Sequence, residues 1–367
     1  MLDYRPALRA RTGVGEYVHE LASALVRVRD AADAVVLFSS SWKDRLTAGA
    51  VPGAKVVDAR VPVRVLNAAW HRLEWPPIER FAGGVDIAHS LHPLLMPARN
   101  AAAAITIHDL DFLDHPERTR AEVRRDYPRL ARAHAARADL VVTISGFTAA
   151  AVQSRLGVAA ERIVVCPPGA PAWTARPGPA RGGPILFMGT LEPRKNVGAL
   201  IEAYRRLLAQ RPDAPPLWLA GAAADGAEPW LREIARPPLA GRARHLGYIE
   251  SDRRYDLYAQ ASMLVLPSHL EGFGIPLLEA MTVGVPAIVS ARGALPEVAG
   301  GAARIIDPDA PGDLAAAMRA YLEHPEEADA AAARGLERAR AYSWDASARR
   351  LRAAYVEAVC RRTGARV

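Results

Sequence analysis

The stretch MLVLPSHLEGFGIPLLEAMTVGVPAIVS, residues 263–290, predicts a buried strand, a glycine-rich loop, a helix and a second strand in succession. Pro276 stands at a favoured first position of the helix. Gly272 and Gly274 keep the loop narrow, so that its backbone can approach a ligand closely. In doubly wound parallel sheets, ligands bind at the carboxyl ends of the strands. The stretch therefore predicts an α/β domain with a ligand site at this loop.

The rest of the chain repeats this alternation of short apolar runs and longer helical patterns, which is typical of parallel sheets covered by helices on both faces. The alternation stops at segment 171–184, whose proline and glycine content predicts a linker. We therefore predict two Rossmann-like, doubly wound domains that face a central cleft, residues 1–170 and 185–345. A helix within residues 346–367 is expected to pack back on the first domain.

Local patterns also predict single elements. A strand is expected over residues 56–61, and a helix over Gly146–Leu156 has Ser145 as its expected N-cap. No helix is expected between Glu323 and Trp344.

Composition and charge exclude several classes of protein. Of the 367 residues, half are apolar and 24% are charged, which is typical of a globular enzyme. Cys166 and Cys360 lack metal-ligand spacing and form no disulfide framework, so we expect a reducing, cytoplasmic location. The N-terminal stretch lacks the apolar core of a secretory signal, so we do not expect it to be one, and no run reaches the roughly 18 apolar residues of a membrane span. The net charge of +7 favours phosphate-bearing ligands, and the absence of a reader motif argues against nucleic acid.

Two carboxylates fall within the decisive stretch. Glu271 lies in the loop, and Glu279 follows eight residues later on the helix. A carboxylate can accept hydrogen bonds from sugar or ribose hydroxyls, and the amides at a helix N-terminus suit a phosphate. The same pair also allows a glycoside hydrolase, with Glu271 and Glu279 as acid and nucleophile.

A basic pair opens the same domain. In ILFMGTLEPRKNVGALIEAYRRL, residues 185–207, a strand ends at Gly189, and Arg194 and Lys195 stand just before the next helix. Two cations beside a helix N-terminus form a site for a diphosphate, although such a pair can also be a solvated surface loop. A glycoside hydrolase has no use for it.

The first domain contributes two further candidates. Gly13 and Gly15 lie at the start of a helix, but the third glycine of a dinucleotide fingerprint is missing. His108 ends a strand and is followed by Asp109, a position at which a histidine is often structural.

Three motifs together resemble the family 4 retaining glycosyltransferases of the GT-B fold. They are EGFGIPLLEAM at 271–281, which is similar to the E-x₇-E signature of that family, GALPEV at 293–298, and IDP at 306–308. The resemblance extends from about Arg5 to Leu322. It implies transfer of a sugar from a nucleoside diphosphate to a hydroxyl, with the anomeric configuration retained.

The resemblance also implies roles for individual residues. Glu279 would bind the ribose, Glu271 would lie by the donor sugar hydroxyls, and a histidine such as His108 would contact the sugar. The residues expected to be catalytic are His108, Glu271, Arg194 and Lys195. The residues expected to bind the donor are Gly13, Gly15, Gly189, Arg194, Lys195, Tyr248, Ile249, Gly272, Phe273, Gly274 and Glu279, with Tyr248 and Ile249 near the nucleobase.

Substrates and partners follow from the same resemblance. GDP-mannose is the first expectation for the donor, because DYRPAL, GVGEY and HDLDFLDHPE resemble segments of bacterial polysaccharide mannosyltransferases; a UDP-hexose is the second. The acceptor is expected to be a glycan or a lipid-linked precursor of a surface polysaccharide. We expect no metal, because no D-x-D motif lies in a suitable loop. A non-catalytic sugar-nucleotide-binding subunit and a GT-B sugar-nucleotide epimerase are the alternatives.

A final segment, residues 118–137, carries seven arginines and predicts a helix. Arg118, Arg125, Arg129 and Arg132 fall roughly on one face, which could meet anionic lipid head groups. A solvated arginine-rich face is the alternative. The segment therefore gives a hypothesis of peripheral membrane contact.

Overall fold

The chain forms two compact α/β units, each built on one parallel sheet. The computed structural model describes residues 1–8, 13–116 and 126–365. Unit 1 comprises Met1–Gly169 and Ser343–Val367, and unit 2 comprises Ala170–Tyr342. The predicted class, two Rossmann-like domains of alternating strands and helices, is confirmed.

Unit 1 contains seven strands, and all neighbouring pairs are parallel. They are β1 (Leu2–Asp3), β2 (Val36–Ser39), β3 (Lys55–Asp58), β4 (Ile87–Ser90), β5 (Ala102–Ile107), β6 (Leu140–Thr143) and β7 (Ile163–Val165). Their order across the sheet is β3-β2-β1-β4-β5-β6-β7. The short β1 therefore lies inside the sheet, where the strand order reverses.

In the described part of unit 1, six α-helices precede the crossing to unit 2. They are α1 (Gly13–Val28), α2 (Val63–Leu73), α3 (Glu79–Ala82), α4 (Asp111–Asp114), α5 (Tyr127–Arg137) and α6 (Gly146–Leu156). The predicted N-cap of α6 is confirmed, because the Ser145 hydroxyl accepts a hydrogen bond from the Thr148 amide at 3.0 Å. A strand predicted over 56–61 ends instead at Asp58, since Arg60 takes a left-handed conformation with φ of 56°.

Unit 2 contains six strands, again all parallel. They are β8 (Ile185–Met188), β9 (Leu217–Ala220), β10 (Ala243–Gly247), β11 (Met263–Leu266), β12 (Ala287–Ser290) and β13 (Arg304–Ile306). The order is β10-β9-β8-β11-β12-β13. The strand order reverses between β8 and β11, and the crevice for a ligand in such a sheet opens at the carboxyl ends of those two strands.

Seven helices cover the unit 2 sheet. They are α7 (Val197–Gln210), α8 (Glu228–Ile234), α9 (Ser251–Gln260), α10 (Ile275–Val283), α11 (Leu295–Ala299), α12 (Pro311–Glu323) and α13 (Pro325–Ala339). The helix α13 was not predicted. Its buried positions are Ala328, Ala331, Gly335 and Ala339, so its buried face lacks the large apolar side chains that usually indicate a helix packed on a core.

Residues 170–184, at the start of unit 2, contain no helix or strand but pack against the rest of that unit. The Arg176 amide donates to the Val283 carbonyl at 3.0 Å, and the Arg176 guanidinium donates to the Ala261 carbonyl at 2.6 Å. The Trp173 ring lies 6.0 Å from the ring of Tyr258 on α9. This segment therefore covers one side of α9.

The last helix, α14 (Trp344–Thr363), belongs to unit 1 and packs along α1. Leu351 and Ala358 are fully buried, and Arg27 of α1 pairs with Asp345 at 2.7 Å. Within the described residues, no helix is both long enough and apolar enough to span a bilayer.

Candidate functional site

The candidate site of unit 2 is formed by the loops that follow β8 and β11, at the reversal of strand order. The two loops are tied to each other by reciprocal hydrogen bonds. The His269 amide donates to the Arg194 carbonyl at 2.9 Å, and the Arg194 guanidinium donates to the Leu270 carbonyl at 2.9 Å. The predicted basic pair and the predicted loop carboxylate are therefore brought together.

Glu271 is the centre of this arrangement and is only 6% exposed. The Lys195 ammonium donates to both carboxylate oxygens, at 2.6 and 2.8 Å, and Arg194 Nη1 lies 3.6 Å from Oε2. The Ser268 hydroxyl adds a hydrogen bond of 2.8 Å. Burial alone would raise the pKa of Glu271, but the two cations and these hydrogen bonds lower it below its ordinary value. Glu271 is therefore ionised at neutral pH.

The backbone of Glu271 is held by the loop after β12. The Ala294 amide donates to the Glu271 carbonyl at 2.9 Å. Gly293 has a φ of +64°, and a Cβ there would lie 2.6 Å from both the amide nitrogen and the carbonyl oxygen of Glu271. Only glycine permits this approach, so the GALPEV motif serves to place the carboxylate.

Glu279 lies on α10 and is 5% exposed. Its Oε1 accepts a hydrogen bond from Arg254 Nη1 at 2.6 Å, and its Oε2 accepts one from the Tyr258 hydroxyl at 2.7 Å. Burial and the neighbouring carboxylate raise the pKa of Tyr258 well above its ordinary value, so its hydroxyl remains a donor. Neither Arg254 nor Tyr258 was predicted as a site residue. Their i, i+4 spacing, which places both on one face of α9, was the feature of the sequence that could have indicated them.

The other residues predicted to bind the donor in unit 2 divide into two groups. Gly189 directly follows β8, and Tyr248 and Ile249 directly follow β10, with Tyr248 38% exposed. Phe273, in contrast, is buried, and its ring lies edge-on to that of Tyr342 at 5.3 Å. The Phe273 side chain therefore packs inside unit 2 and leaves its backbone as the part that can face a ligand.

The two loop glycines beside Phe273 lead into α10. Gly274 takes a φ of +100° immediately before the helix. Gly272 directly precedes Phe273 in the sequence. At the neighbouring helix, the Asn196 side-chain amide donates to the Pro308 carbonyl at 2.7 Å, which anchors the start of α7.

In unit 1, the predicted glycines lie at the start of α1. Gly13 is exposed, and Gly15 is buried. A Cβ at Gly15 would lie 2.9 Å from the Pro6 carbonyl oxygen, so packing alone requires glycine there. Arg11 and Thr12, which directly precede Gly13 in the sequence, lie outside the described residues.

His108 follows β5 in unit 1. Its Nε2 lies 3.2 Å from the Leu91 carbonyl oxygen, so Nε2 carries the ring proton. Tyr17 packs edge-on against the imidazole at 5.2 Å. Burial lowers the pKa of His108, so the ring is neutral at pH 7. The Asp109 carboxylate accepts a hydrogen bond from the Asp111 amide at 3.1 Å, at the start of α4.

The predicted arginine-rich helix is described only in part, because residues 117–125 lie outside the described residues. Arg129 and Arg132 are exposed on α5. Across residues 1–8, 13–116 and 126–365, no group of three or more His, Cys, Asp or Glu side chains is placed to hold a metal ion.

Comparison with known families assigns each half of the chain to a glycosyltransferase model. Residues 11–173 match Glycosyltransferase Family 4, and residues 180–338 match Glycosyl transferases group 1. The chain is 28% identical over 356 residues to O-antigen chain mannosyltransferase B of Escherichia coli. The alignment covers 91% of this chain and 93% of that protein. Several other relatives match over less than two thirds of their own length.

Solved structures share the fold. A sucrose-phosphate synthase from Thermosynechococcus elongatus superimposes with a TM-score of 0.77 at 22% identity, covering 97% of both chains. HepE of Anabaena, solved with UDP and glucose, gives a TM-score of 0.68 at 18% identity and covers 96% of this chain and 97% of its own. These similarities identify the GT-B fold.

Removing Lys195 tests the buried ion pair. We expect Lys195→Met to lower the free energy of unfolding by about 3 kcal/mol at pH 8, because it leaves Glu271 buried without its closest cation. In the wild type the lowered pKa keeps Glu271 ionised at both pH 8 and pH 5. In the variant, burial without Lys195 raises the pKa of Glu271, so protonation at pH 5 relieves part of the cost of the buried charge. The deficit of the variant should therefore shrink at pH 5, as measured by denaturant unfolding at both pH values.

Lys195→Arg is the matched control, since it keeps the charge and should retain most of the stability. Equal deficits for Lys195→Met at pH 5 and pH 8 would contradict an ionised Glu271 as the cause.

Proposed function

We propose that this chain, a GT-B glycosyltransferase of the group 1 and family 4 type, is a retaining hexosyltransferase that uses a nucleoside diphosphate sugar. The observation that carries the proposal is the cluster of Arg194, Lys195 and Glu271 at the carboxyl edge of the unit 2 sheet. Arg194 also pairs with Glu192 at 2.8 Å, so two cations face two carboxylates. The cluster holds both cations beside the start of α7, where a diphosphate is stabilised.

The two cations and the carboxylate of the cluster are proposed to bind different parts of the donor. Lys195 has three N–H donors, and its two bonds to Glu271 fix the direction of the ammonium. Arg194 and Lys195 are proposed to hold the phosphates and to stabilise the leaving group. Glu271, kept ionised, is proposed to accept hydrogen bonds from hydroxyls of the donor sugar.

The remaining roles follow the predicted assignments. Glu279 is proposed to bind the ribose, and Tyr248 and Ile249 to contact the base. In unit 1, the neutral His108 is proposed to contact a hydroxyl of the donor sugar, and the backbone at Gly13 and Gly15 to lie near the donor phosphates. Packing against Pro6 is enough to explain why residue 15 is a glycine. Gly13 is therefore the stronger candidate for a contact with the donor.

In the proposed reaction, the bond between the anomeric carbon and the β-phosphate oxygen breaks as the acceptor oxygen bonds to the same face of that carbon. The acceptor proton passes to the departing phosphate, which acts as the base. Charge on the leaving group is then offset by Arg194 and Lys195 rather than by a metal. Exclusion of water from the reacting atoms suppresses hydrolysis of the donor.

The proposed substrates rest on the relatives. Mannose from GDP-mannose is our first choice, because O-antigen chain mannosyltransferase B matches nearly the whole chain. A UDP-hexose is the second choice, since HepE was solved with UDP and glucose. The proposed acceptor is a hydroxyl of a glycan or of a lipid-linked precursor in surface polysaccharide synthesis.

Nucleotide binding is the first test. We expect one of UDP, GDP, ADP and dTDP to raise the melting temperature of the wild type. At a concentration a hundredfold above its Kd, the nucleotide should raise the free energy of unfolding by about 2.7 kcal/mol. Glu279→Ala and the double variant Arg194→Ala, Lys195→Ala should lose this response. Arg205→Ala, which removes an arginine paired between α7 and α8, is the control and should keep it. A wild type that none of the four nucleotides stabilises would sink the proposal.

Product stereochemistry is the second test. With the donor that binds, we expect an α-linked product from the α-configured donor, as measured by the one-bond coupling between C1 and H1 in NMR. The turnover rate should be unchanged by EDTA and should fall by on the order of 10²-fold in the double variant Arg194→Ala, Lys195→Ala. An inverted product, or loss of activity with EDTA that Mg²⁺ restores, would contradict the mechanism.

Membrane contact is a separate proposal, made for the arginines of segment 118–137. Liposome flotation with and without anionic lipid measures it. We expect flotation only with anionic lipid, and less of it for Arg129→Ala, Arg132→Ala, because each basic side chain near such a surface contributes about 1 kcal/mol. Equal absence of binding to both liposomes would end this proposal.

A further inference from the structure

We propose that Arg254 is a positioning residue for the donor ribose, acting through Glu279 with the help of Tyr258. This inference rests on the proposed function, in which Glu279 receives the ribose. It adds two residues of α9 to a site that sequence motifs had confined to the loops and to α10.

The geometry is that of a two-point clamp. Arg254 Nη1 donates to Oε1 of Glu279 at 2.6 Å, and the Tyr258 hydroxyl donates to Oε2 at 2.7 Å. The two donors lie one turn apart on α9, so they fix the plane of the carboxylate as well as its position. Each donor binds a different oxygen of the carboxylate.

Charge gives Arg254 the larger part of this role. Glu279 is 5% exposed, and an ionised carboxylate at that depth is stable only beside a cation. Lys195 is already bonded to both oxygens of Glu271. Arg254, with a side chain 13% exposed, supplies a cation to Glu279 at 2.6 Å. The charge of Arg254 therefore stabilises the Glu279 carboxylate, and charge-assisted hydrogen bonds to a carboxylate are the stronger ones.

The surroundings keep the clamp in place. Tyr258 is fully buried, and the Trp173 ring packs against it from the segment that precedes β8. The Arg194–Lys195–Glu271 cluster uses none of these residues. Loss of Arg254 should therefore weaken recognition of the ribose and leave recognition of the diphosphate intact.

The experiment measures Kd by calorimetry for UDP and GDP and for the 2′,3′-dideoxy form of each. For the nucleotide that binds, the wild type should prefer the ribose form on the order of tenfold, or about 1.4 kcal/mol. Arg254→Met and Glu279→Gln should each abolish that preference while binding the dideoxy form within about twofold of wild type. The double variant should lose nothing further, because both changes act on one contact.

Two variants complete the design. Arg254→Lys keeps the charge and should restore part of the preference. Arg205→Met removes an arginine paired between α7 and α8, away from the clamp, and should behave as the wild type. If Arg254→Met does not fold, Tyr258→Phe, which removes a single hydroxyl, should still reduce the preference for ribose.

The outcomes separate this inference from the function on which it rests. Absence of nucleotide binding by the wild type overturns both. Loss of the preference in Glu279→Gln but not in Arg254→Met or Tyr258→Phe overturns the role of Arg254 and leaves the function standing. Equal weakening of the ribose and dideoxy forms in Arg254→Met shows a structural effect and also overturns the inference.

Discussion

An ionised carboxylate can remain out of water only where cations and hydrogen-bond donors replace its hydration. Unit 2 meets this condition at Glu271, which requires Lys195 and Arg194 from the loop after a different strand. The two loops must therefore stay in register, and the bonds between the His269 amide and the Arg194 carbonyl and between the Arg194 side chain and Leu270 keep them so. The adjacency of β8 and β11 at the reversal of the sheet is what makes that pairing geometrically available.

Separate ion pairs at Glu271 and Glu279 give the site two electrostatic characters. Around Glu271 two cations, Lys195 and Arg194, lie beside the start of α7, which suits an anionic group. Around Glu279 the contacts with Arg254 and Tyr258 hold the carboxylate as a hydrogen-bond acceptor, which suits neutral hydroxyls. In the proposed function, a nucleoside diphosphate sugar offers these two kinds of group in succession, and the carboxylates stand eight residues apart across the start of one helix.

Sequence patterns predicted the alternating strands and the position of the loop at 267–274, because apolar runs and glycines carry local information. They did not predict α13, whose buried face is made of alanine and glycine, or the end of β3, where Arg60 departs from extended backbone. The signature motif located Glu271 and Glu279 but not the partners of Glu279. Arg254 and Tyr258 lie more than twenty residues away in sequence, and only the packing of α9 on α10 brings them to that carboxylate. The buried ring of Phe273 was likewise invisible to a pattern of spacing.

The position of α14 has a consequence for the order in which the chain folds. Unit 1 is made from the first 169 residues and from Ser343 onward, so the helix that packs on α1 leaves the ribosome after all of unit 2. Until then, the α1 surface that α14 covers stays exposed, whereas every strand of unit 2 is already present. Folding during synthesis should therefore complete the second unit before the first, the reverse of their order along the chain.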